Sequence, residues 1–371
     1  MKKSILFISP GPTYRPHTDL YESQFKALSN DCKGYIFTTT TISETFIIGD
    51  FTHISMKHYN SKGRLILFVL FCLWNALKLL LKREKIDLVI SYEPFLSGPI
   101  GLMVSFLLRA KFVQEVNGVY TSEAEWLDVP NTLGMKLKRI SYSWMMHYVL
   151  KHSDGIKLLF RNQVDPFRQV LKGKTIQSFP CFVPVGNFRN ICEKKEILFV
   201  GFPFKRKGVD LLIEAFKRIA PKYPEWKLKI LGWFPDQNEL NKAIDGHLQI
   251  YHHKPVQRHE MPEHIGSCAI LVLPSRSEAM GRVLVEAMAA GKPRVGSNVD
   301  GIPTVINDGV DGLLFESENV EDLASKLDML MGNQDLRRKL GDSGEIRARK
   351  EFTSEEYGRN LNEFCNQVLS A

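Results

Sequence analysis

The sequence of 371 residues has no Cys-x-x-Cys pair. Its six cysteines, Cys32, Cys72, Cys181, Cys192, Cys268 and Cys365, lie far apart, and none sits in a His/Cys cluster at zinc spacing. That argues against a disulfide scaffold or a zinc module and suits a reduced, cytosolic setting. No Gly-x-Gly-x-x-Gly follows the first apolar run, which argues against a dinucleotide-dependent dehydrogenase. Internal repeats, low-complexity tracts and nucleic-acid motifs are also missing, so nucleic acid is not the expected partner. The apolar run 65–74 is ten residues, about half of what a bilayer crossing needs. At the N-terminus, Lys2 and Lys3 precede only Ile5-Leu6-Phe7-Ile8 before Pro10-Gly11-Pro12, a core too short for a signal peptide and right for a first β-strand.

Apolar residues make up 44% and charged residues 24%, enough for two globular cores. The net charge of +8 is unevenly placed: residues 1–200 hold 26 Lys/Arg against 16 Asp/Glu, and residues 201–371 hold 23 against 25. A basic first half suggests an anionic partner, either phosphorylated substrates or an acidic membrane surface.

Short apolar strands alternate with longer helical segments, the pattern of α/β architecture with parallel sheets. Strands are expected at 4–9, 34–38, 86–91, 111–116 and 155–160, with helices at 17–29, 64–83, 97–108 and 134–152. The pattern restarts at 196–201 and continues through strands at 226–232, 248–251, 269–273 and 293–297. Helices are expected between them at 208–220, 236–244, 260–265 and 281–291, then at 319–331. A Pro- and Asn-rich join near 180–195 divides the chain into a first domain, 1–185, and a second, 190–352. A C-terminal helix at about 353–371 is expected to pack back on the first. Two doubly wound Rossmann-like domains would place the site in the cleft between them, outside the strands' carboxyl ends.

Two segments carry chemistry. In 273–296 a strand runs through a loop into a helix, whose unpaired N–H groups and positive dipole end suit a phosphate. Gly281 at that entry permits close backbone approach. Glu278 stands in the loop. Glu286 stands in a helix that is apolar nearly all round, so it should face an opening or have a fixed partner such as a ribose diol, unless it is an ordinary solvent-facing residue. The second segment, Gly201-Phe202-Pro203-Phe204-Lys205-Arg206-Lys207-Gly208, sets three cations at the end of a strand, where a diphosphate would lie.

The frame Pro274-Ser275…Glu278…Gly281…Glu286-Ala287-Met288-Ala289…Gly291-Lys292-Pro293, with Glu278 and Glu286 as an E-x7-E pair, resembles the retaining glycosyltransferases of family 4, glycosyl transferases group 1. Lys207-Gly208-Val209-Asp210 and Asp300-Gly301-Ile302-Pro303 are similar to further motifs of that family. The likeness is close over about 195–330 and extends to the first half only in layout. It implies the GT-B fold, a nucleotide-diphosphate sugar as donor substrate, and no cofactor or metal. By matching positions it implies that Lys207 contacts the diphosphate, with Arg206 or Lys205 replacing an arginine that relatives place where Phe202 stands. Glu278 would meet the transferred sugar, aided by the backbone around Met280 and Gly281. Glu286 would hold the ribose. Gly201 joins the donor side. Arg282, a further donor-side candidate, stands where relatives commonly have an aliphatic residue, so it either points to solvent or reinforces an anion site. Gly11, His17, Glu93 and Asn117 are the acceptor-side candidates, Asn117 standing where many relatives have histidine. Glu93 could equally be a turn or cap residue.

The expected activity is hexosyl transfer to a lipid-linked or cell-envelope glycan, as in polysaccharide biosynthesis. The expected location is the cytoplasm, peripheral on the membrane's cytoplasmic face. The apolar stretch 64–85, with cations at both ends, reads either as an interfacial helix or as a buried helix of the first domain. An epimerase-like GT-B enzyme and a non-catalytic sugar-nucleotide-binding protein are the alternatives.

Overall fold

The computed structural model describes residues 2–9, 18–57 and 63–371. The chain forms two compact units. The first comprises Met1–Tyr120, Asn131–Pro180 and Ser354–Ala371, and the second Thr121–Pro130 and Cys181–Thr353. The first domain is therefore not the continuous block expected over 1–185: Thr121–Pro130 belongs with the second unit, held there by hydrogen bonds to Lys205 and Arg206.

In the first unit the elements run β1 (Lys3–Ser9), α1 (Asp19–Leu28), β2 (Cys32–Thr40), β3 (Thr45–Ile48), β4 (Phe51–Lys57) and α2 (Arg64–Leu81). They continue through β5 (Leu88–Ser91), α3 (Ser97–Leu108), β6 (Lys111–Glu115), α4 (Leu133–His152), β7 (Gly155–Leu158) and β8 (Thr175–Ser178). These strands form one sheet in the order β3-β4-β2-β1-β5-β6-β7-β8. It is parallel except for the β3–β4 hairpin, turned by Gly49-Asp50 between the paired Ile48 and Phe51. The hairpin and β8 were not expected from the sequence. Phe7, Phe25 and Phe51 interlock on one side of β1, with ring centroids 5.3–5.9 Å apart.

The second unit runs β9 (Glu196–Val200), α5 (Val209–Ile219), β10 (Lys227–Leu231), α6 (Gln237–Ile244), β11 (Ile250–His253), α7 (Met261–Ser267) and β12 (Ile270–Leu273). It continues with α8 (Arg282–Ala289), β13 (Arg294–Ser297), α9 (Ile302–Val305), β14 (Leu313–Phe315), α10 (Val320–Gly332) and α11 (Gln334–Glu351). Its six strands are all parallel, in the order β11-β10-β9-β12-β13-β14. The order reverses direction between β9 and β12, the point where such sheets open a crevice at the strands' carboxyl ends. The strands read as near-continuous apolar runs because helices cover both faces. In α5, Val209, Leu212, Ile213, Phe216 and Ile219 fall on one buried face.

Helix α12 (Ser354–Ser370) returns to the first unit, where the Tyr357 hydroxyl donates to the buried Glu115 carboxylate at 3.1 Å. Helix α2 has the length and apolarity of a membrane span, yet only one side is buried. Phe68, Cys72, Ala76 and Leu79 enter the first unit's core, while Ile66, Leu67, Leu70, Trp74 and Leu81 are exposed. The expected buried helix of the first domain is thus seen for one stripe of α2, while the other stripe faces outward.

The second unit buries an ionic triad. Arg294 is fully buried and donates to Asp311 at 2.9 Å, and Arg347 donates to the other Asp311 oxygen at 2.8 Å. Burial holds the Arg294 guanidinium down at about 10, against the pull of Asp311. Truncating Asp311 leaves Arg294 buried without its countercharge, so Asp311→Ala should cost about 3–5 kcal/mol in urea unfolding. A loss below about 1 kcal/mol would show that the triad is not what keeps Arg294 inside.

Candidate active site

Two loops meet at the switch point of the second unit. The first follows β9 and carries Lys205, Arg206 and Lys207; the second follows β12 and carries Arg276, Ser277 and Glu278. Gly208 ties them together. Its φ is +67°, and a Cβ there would stand 1.9 Å from the Pro274 carbonyl oxygen, so only glycine permits the approach. The Arg276 N–H donates to the Arg206 carbonyl at 2.8 Å across the same seam.

Each cation of the first loop finds a different acid. Lys207 forms a hydrogen-bonded ion pair with Glu278, both side chains being largely buried. Arg206 contacts Glu125 at 3.3 Å. Lys205 turns to Asp210 at 3.0 Å and Glu239 at 3.8 Å. Asp210 is shared with Arg276, whose guanidinium donates to it at 2.8 Å and pairs with Glu318 at 2.6 Å. Burial alone would raise the Asp210 carboxyl, but the hydrogen bonds from Arg276 and Lys205 outweigh it and hold the carboxyl below its ordinary range. Of the two residues expected to stand in for the relatives' arginine, Arg206 therefore stays beside the Glu278 loop through Glu125, while Lys205 is committed to the acids of α5 and α6.

The Glu278 loop is fixed from behind. Asp300 accepts from the Ser277 hydroxyl at 2.8 Å and from the Glu278 N–H at 3.1 Å, while the Gly301 N–H donates to the Glu278 carbonyl at 3.0 Å. Asp300 has a φ of +46°, a left-handed conformation that aspartate tolerates better than most residues. Met280 is buried, and Gly281, with a φ of +72°, forms the N-cap of α8. A Cβ on Gly281 would come within 2.9 Å of Leu273 and 3.0 Å of Leu284. Gly201 donates its N–H to the Leu231 carbonyl at 3.0 Å, and its own carbonyl lies so close to Gly232 that a Cβ on the latter would stand 2.1 Å away.

Glu286 lies one turn into α8, partly buried, and its carboxylate makes no hydrogen bond or ion pair with the described residues. Burial raises its carboxyl above the ordinary range, with the charges of Arg282 and Arg258 opposing the shift. Arg282 itself is exposed.

The acceptor-side candidates fare differently. Gly11 and His17 lie outside the described residues. Glu93 is a helix cap: its carboxylate accepts the N–H groups of Phe95, Leu96 and Ser97 at 2.7, 2.8 and 2.5 Å. Those bonds satisfy the orphan donors at the start of α3, so its acceptor-side assignment gives way to the cap reading. Asn117 belongs to a polar network at the strand ends of the first unit. Its amide donates to the Tyr92 carbonyl at 2.8 Å and to Glu115 at 3.1 Å, and its oxygen receives the Lys157 ammonium at 3.4 Å. Among the described residues no group of three His, Cys, Asp or Glu side chains is arranged to hold a metal ion.

Similarity to known proteins identifies the chain. The glycosyl transferases group 1 family matches residues 188–347. An uncharacterized glycosyltransferase of Methanocaldococcus jannaschii is 30% identical over 293 residues, covering 75% of this chain and 74% of the relative. The chain belongs to the glycosyltransferase family. It is an enzyme of the hexosyltransferase type. The sulfoquinovosyl transferase of Arabidopsis thaliana is 30% identical over 182 residues, 48% of this glycosyltransferase and 34% of that protein. Among solved structures, the sucrose-phosphate synthase of Thermosynechococcus elongatus superposes over 100% of both chains with a TM-score of 0.79 at 17% identity. The Anabaena protein HepE, in complex with UDP, does so over 99% of this chain and 100% of that one, with a TM-score of 0.70 at 15% identity. These likenesses establish the GT-B fold for the glycosyltransferase.

Sequence reasoning missed Asp210, Arg276 and Asp300 as structural partners of the loops, and Glu125 and Asp128 altogether. Asp210 and Asp300 stood inside the quoted motifs. Glu125 and Asp128 lie about 80 residues before the loop they contact, a distance no local pattern spans.

Glu286 supplies a pH test. Its folded-state proton affinity is raised, so its contribution to stability is fully present below the unfolded carboxyl's pKa and is lost as pH rises through the folded one. Glu286→Gln should therefore melt higher than wild type at pH 8, with the difference vanishing near pH 4. Equal melting temperatures at both pH values would contradict the burial argument.

Proposed function

We propose that this glycosyltransferase takes a sugar from a nucleoside-diphosphate donor with retention of anomeric configuration, as in family 4, and passes it to a lipid-linked or cell-envelope glycan. The observation that carries the reading is the pairing of Lys207 with Glu278 at the switch point of the second unit, beside Arg206 and the α8 N-cap. The UDP complex of the Anabaena protein supports a nucleotide donor by analogy.

Breaking the sugar–phosphate bond builds positive charge on the anomeric carbon and negative charge on the departing diphosphate. Lys207, Arg206 and the N-terminal end of α8 stabilise the second charge, a preorganised electrostatic contribution of the kind that often dominates catalysis. Glu278 orients Lys207 and meets the sugar. The acceptor oxygen bonds to the anomeric carbon on the face the phosphate leaves, and its proton passes to the departing phosphate oxygen. Every bond and proton is accounted for without a protein nucleophile, a metal or a cofactor. Glu286, whose carboxylate makes no hydrogen bond or ion pair with the described residues, receives the ribose hydroxyls.

The acceptor side draws support from the first unit's surface. Leu70, Trp74 and Leu81 on α2, Phe106 on α3 and Leu137, Ile140 and Trp144 on α4 are exposed. Contacts link α2 to α3 and α3 to α4, and Lys78, Lys82, Lys136 and Arg139 stand among these residues. Exposed apolar residues interspersed with cations suit an anionic membrane and support a peripheral position at a cytoplasmic membrane face.

Two measurements test these statements. In a thermal-shift panel of UDP, GDP, ADP and their sugar conjugates, one nucleotide should raise the melting temperature, as ligand binding to the native state requires. Lys207→Ala and Glu278→Gln should then each lower transfer by about 10²–10³-fold, the usual range for losing one preorganised electrostatic contact. Transfer unchanged in both variants would contradict the assignment. In flotation with anionic liposomes, the wild type should rise with the vesicles and Leu70→Glu/Trp74→Glu should stay at the bottom. A wild type that does not float would refute the membrane reading.

A further inference from the structure

The cationic turn is answered by acids from a part of the chain remote in sequence. Thr121–Pro130, between β6 and α4, belongs to the second unit and not to the first-unit elements on either side of it. Its short 3-10 turn, Glu123–Trp126, is capped by the Ser122 hydroxyl, which accepts the Ala124 N–H at 3.2 Å. Beyond that turn the Asp128 carboxylate straddles the peptide of the cationic loop. One oxygen accepts the Lys205 N–H and the other the Arg206 N–H, each at 2.8 Å. Glu125 lies deeper. One of its oxygens accepts from the Arg206 guanidinium at 3.3 Å and lies 3.2 Å from the Ser277 hydroxyl, whose single proton it shares with the nearer Asp300 carboxylate at 2.8 Å.

This arrangement has an electrostatic consequence. Burial raises the proton affinity of Glu125, and Arg206, Ser277 and Lys207 pull the other way. Glu278, a like charge on the neighbouring cation Lys207, adds a smaller push in the direction of burial. The Glu125 charge is therefore held at a cost that Arg206 only partly offsets. A diphosphate arriving at this turn brings further negative charge and seeks the same guanidinium.

We propose that Glu125 is a displaceable counter-carboxylate of the donor site, which neutralises Arg206 until the diphosphate takes it over, and that Asp128 is the positioning residue fixing the turn that presents Arg206. The inference rests on the reading of 201–208 as the diphosphate site. It assigns opposite effects to two neighbouring acids on one segment. Removing the Glu125 charge relieves repulsion and frees Arg206, whereas removing the Asp128 charge loosens the turn. A merely structural role for the segment would make both substitutions weaken binding.

The test is isothermal titration of the full chain with UDP, GDP and ADP and with the matching nucleosides. Glu125→Gln should bind the preferred diphosphate about tenfold more tightly than wild type, the scale of one charge–charge contact at a partly screened site. Its affinity for the nucleoside should be unchanged. Asp128→Asn should bind the diphosphate more weakly, again without effect on the nucleoside. Glu125→Ser serves as the second variant if Glu125→Gln does not fold. Should the wild type bind a diphosphate while the Glu125 variants bind it equally or less tightly, the inference fails and the donor-site reading stands. Should the wild type bind none of the three diphosphates, both fail together.

Discussion

The closeness of Gly208 to the Pro274 carbonyl is the constraint on which the candidate site depends. With any side chain at 208 the loop after β9 would be forced off the loop after β12, since a Cβ would overlap that oxygen at 1.9 Å. Because the seam closes, the Arg276 N–H reaches the Arg206 carbonyl, and Lys207 reaches Glu278. The parallel order β11-β10-β9-β12-β13-β14 makes these loops neighbours although about 70 residues separate them. Topology supplies adjacency, glycine supplies contact, and charge then organises the side chains.

Much of the second unit was legible in the sequence because its signals are local. The apolar strand runs are short and bounded by Gly, Pro and charged residues, so β9, β10, β12 and β13 fall close to where periodicity expects them. The first unit was harder to read. Strand β4, Phe-Thr-His-Ile-Ser-Met-Lys, mixes polar residues into a strand whose Phe51, His53 and Ser55 are buried, and the hairpin turn Gly49-Asp50 was the overlooked signal. Glu93 shows the opposite limit. Its position after a strand suggested a substrate contact, but three backbone N–H groups at the start of α3 already engage it.

The candidate site was legible as a set of residues and not as a set of partners. Lys207, Arg206, Glu278 and Glu286 could be named from motif and residue chemistry. Which cation meets which acid depends on Asp210, Glu125, Asp128 and Asp300, and only the folded topology brings these into range. Arg206 and Lys205 looked interchangeable in sequence, yet the acids of α5 and α6 draw Lys205 away and Glu125 keeps Arg206 at the cluster. Glu286 differs from all of these in making no hydrogen bond or ion pair with the described residues, which is why the ribose is proposed as its partner.

The most direct test of this account is a crystal structure of the enzyme with the nucleoside diphosphate it binds best. The diphosphate oxygens are expected within hydrogen-bonding distance of the Lys207 ammonium, and the ribose hydroxyls on the Glu286 carboxylate. A diphosphate held elsewhere, with Lys207 still paired to Glu278 and nothing at Glu286, would contradict it.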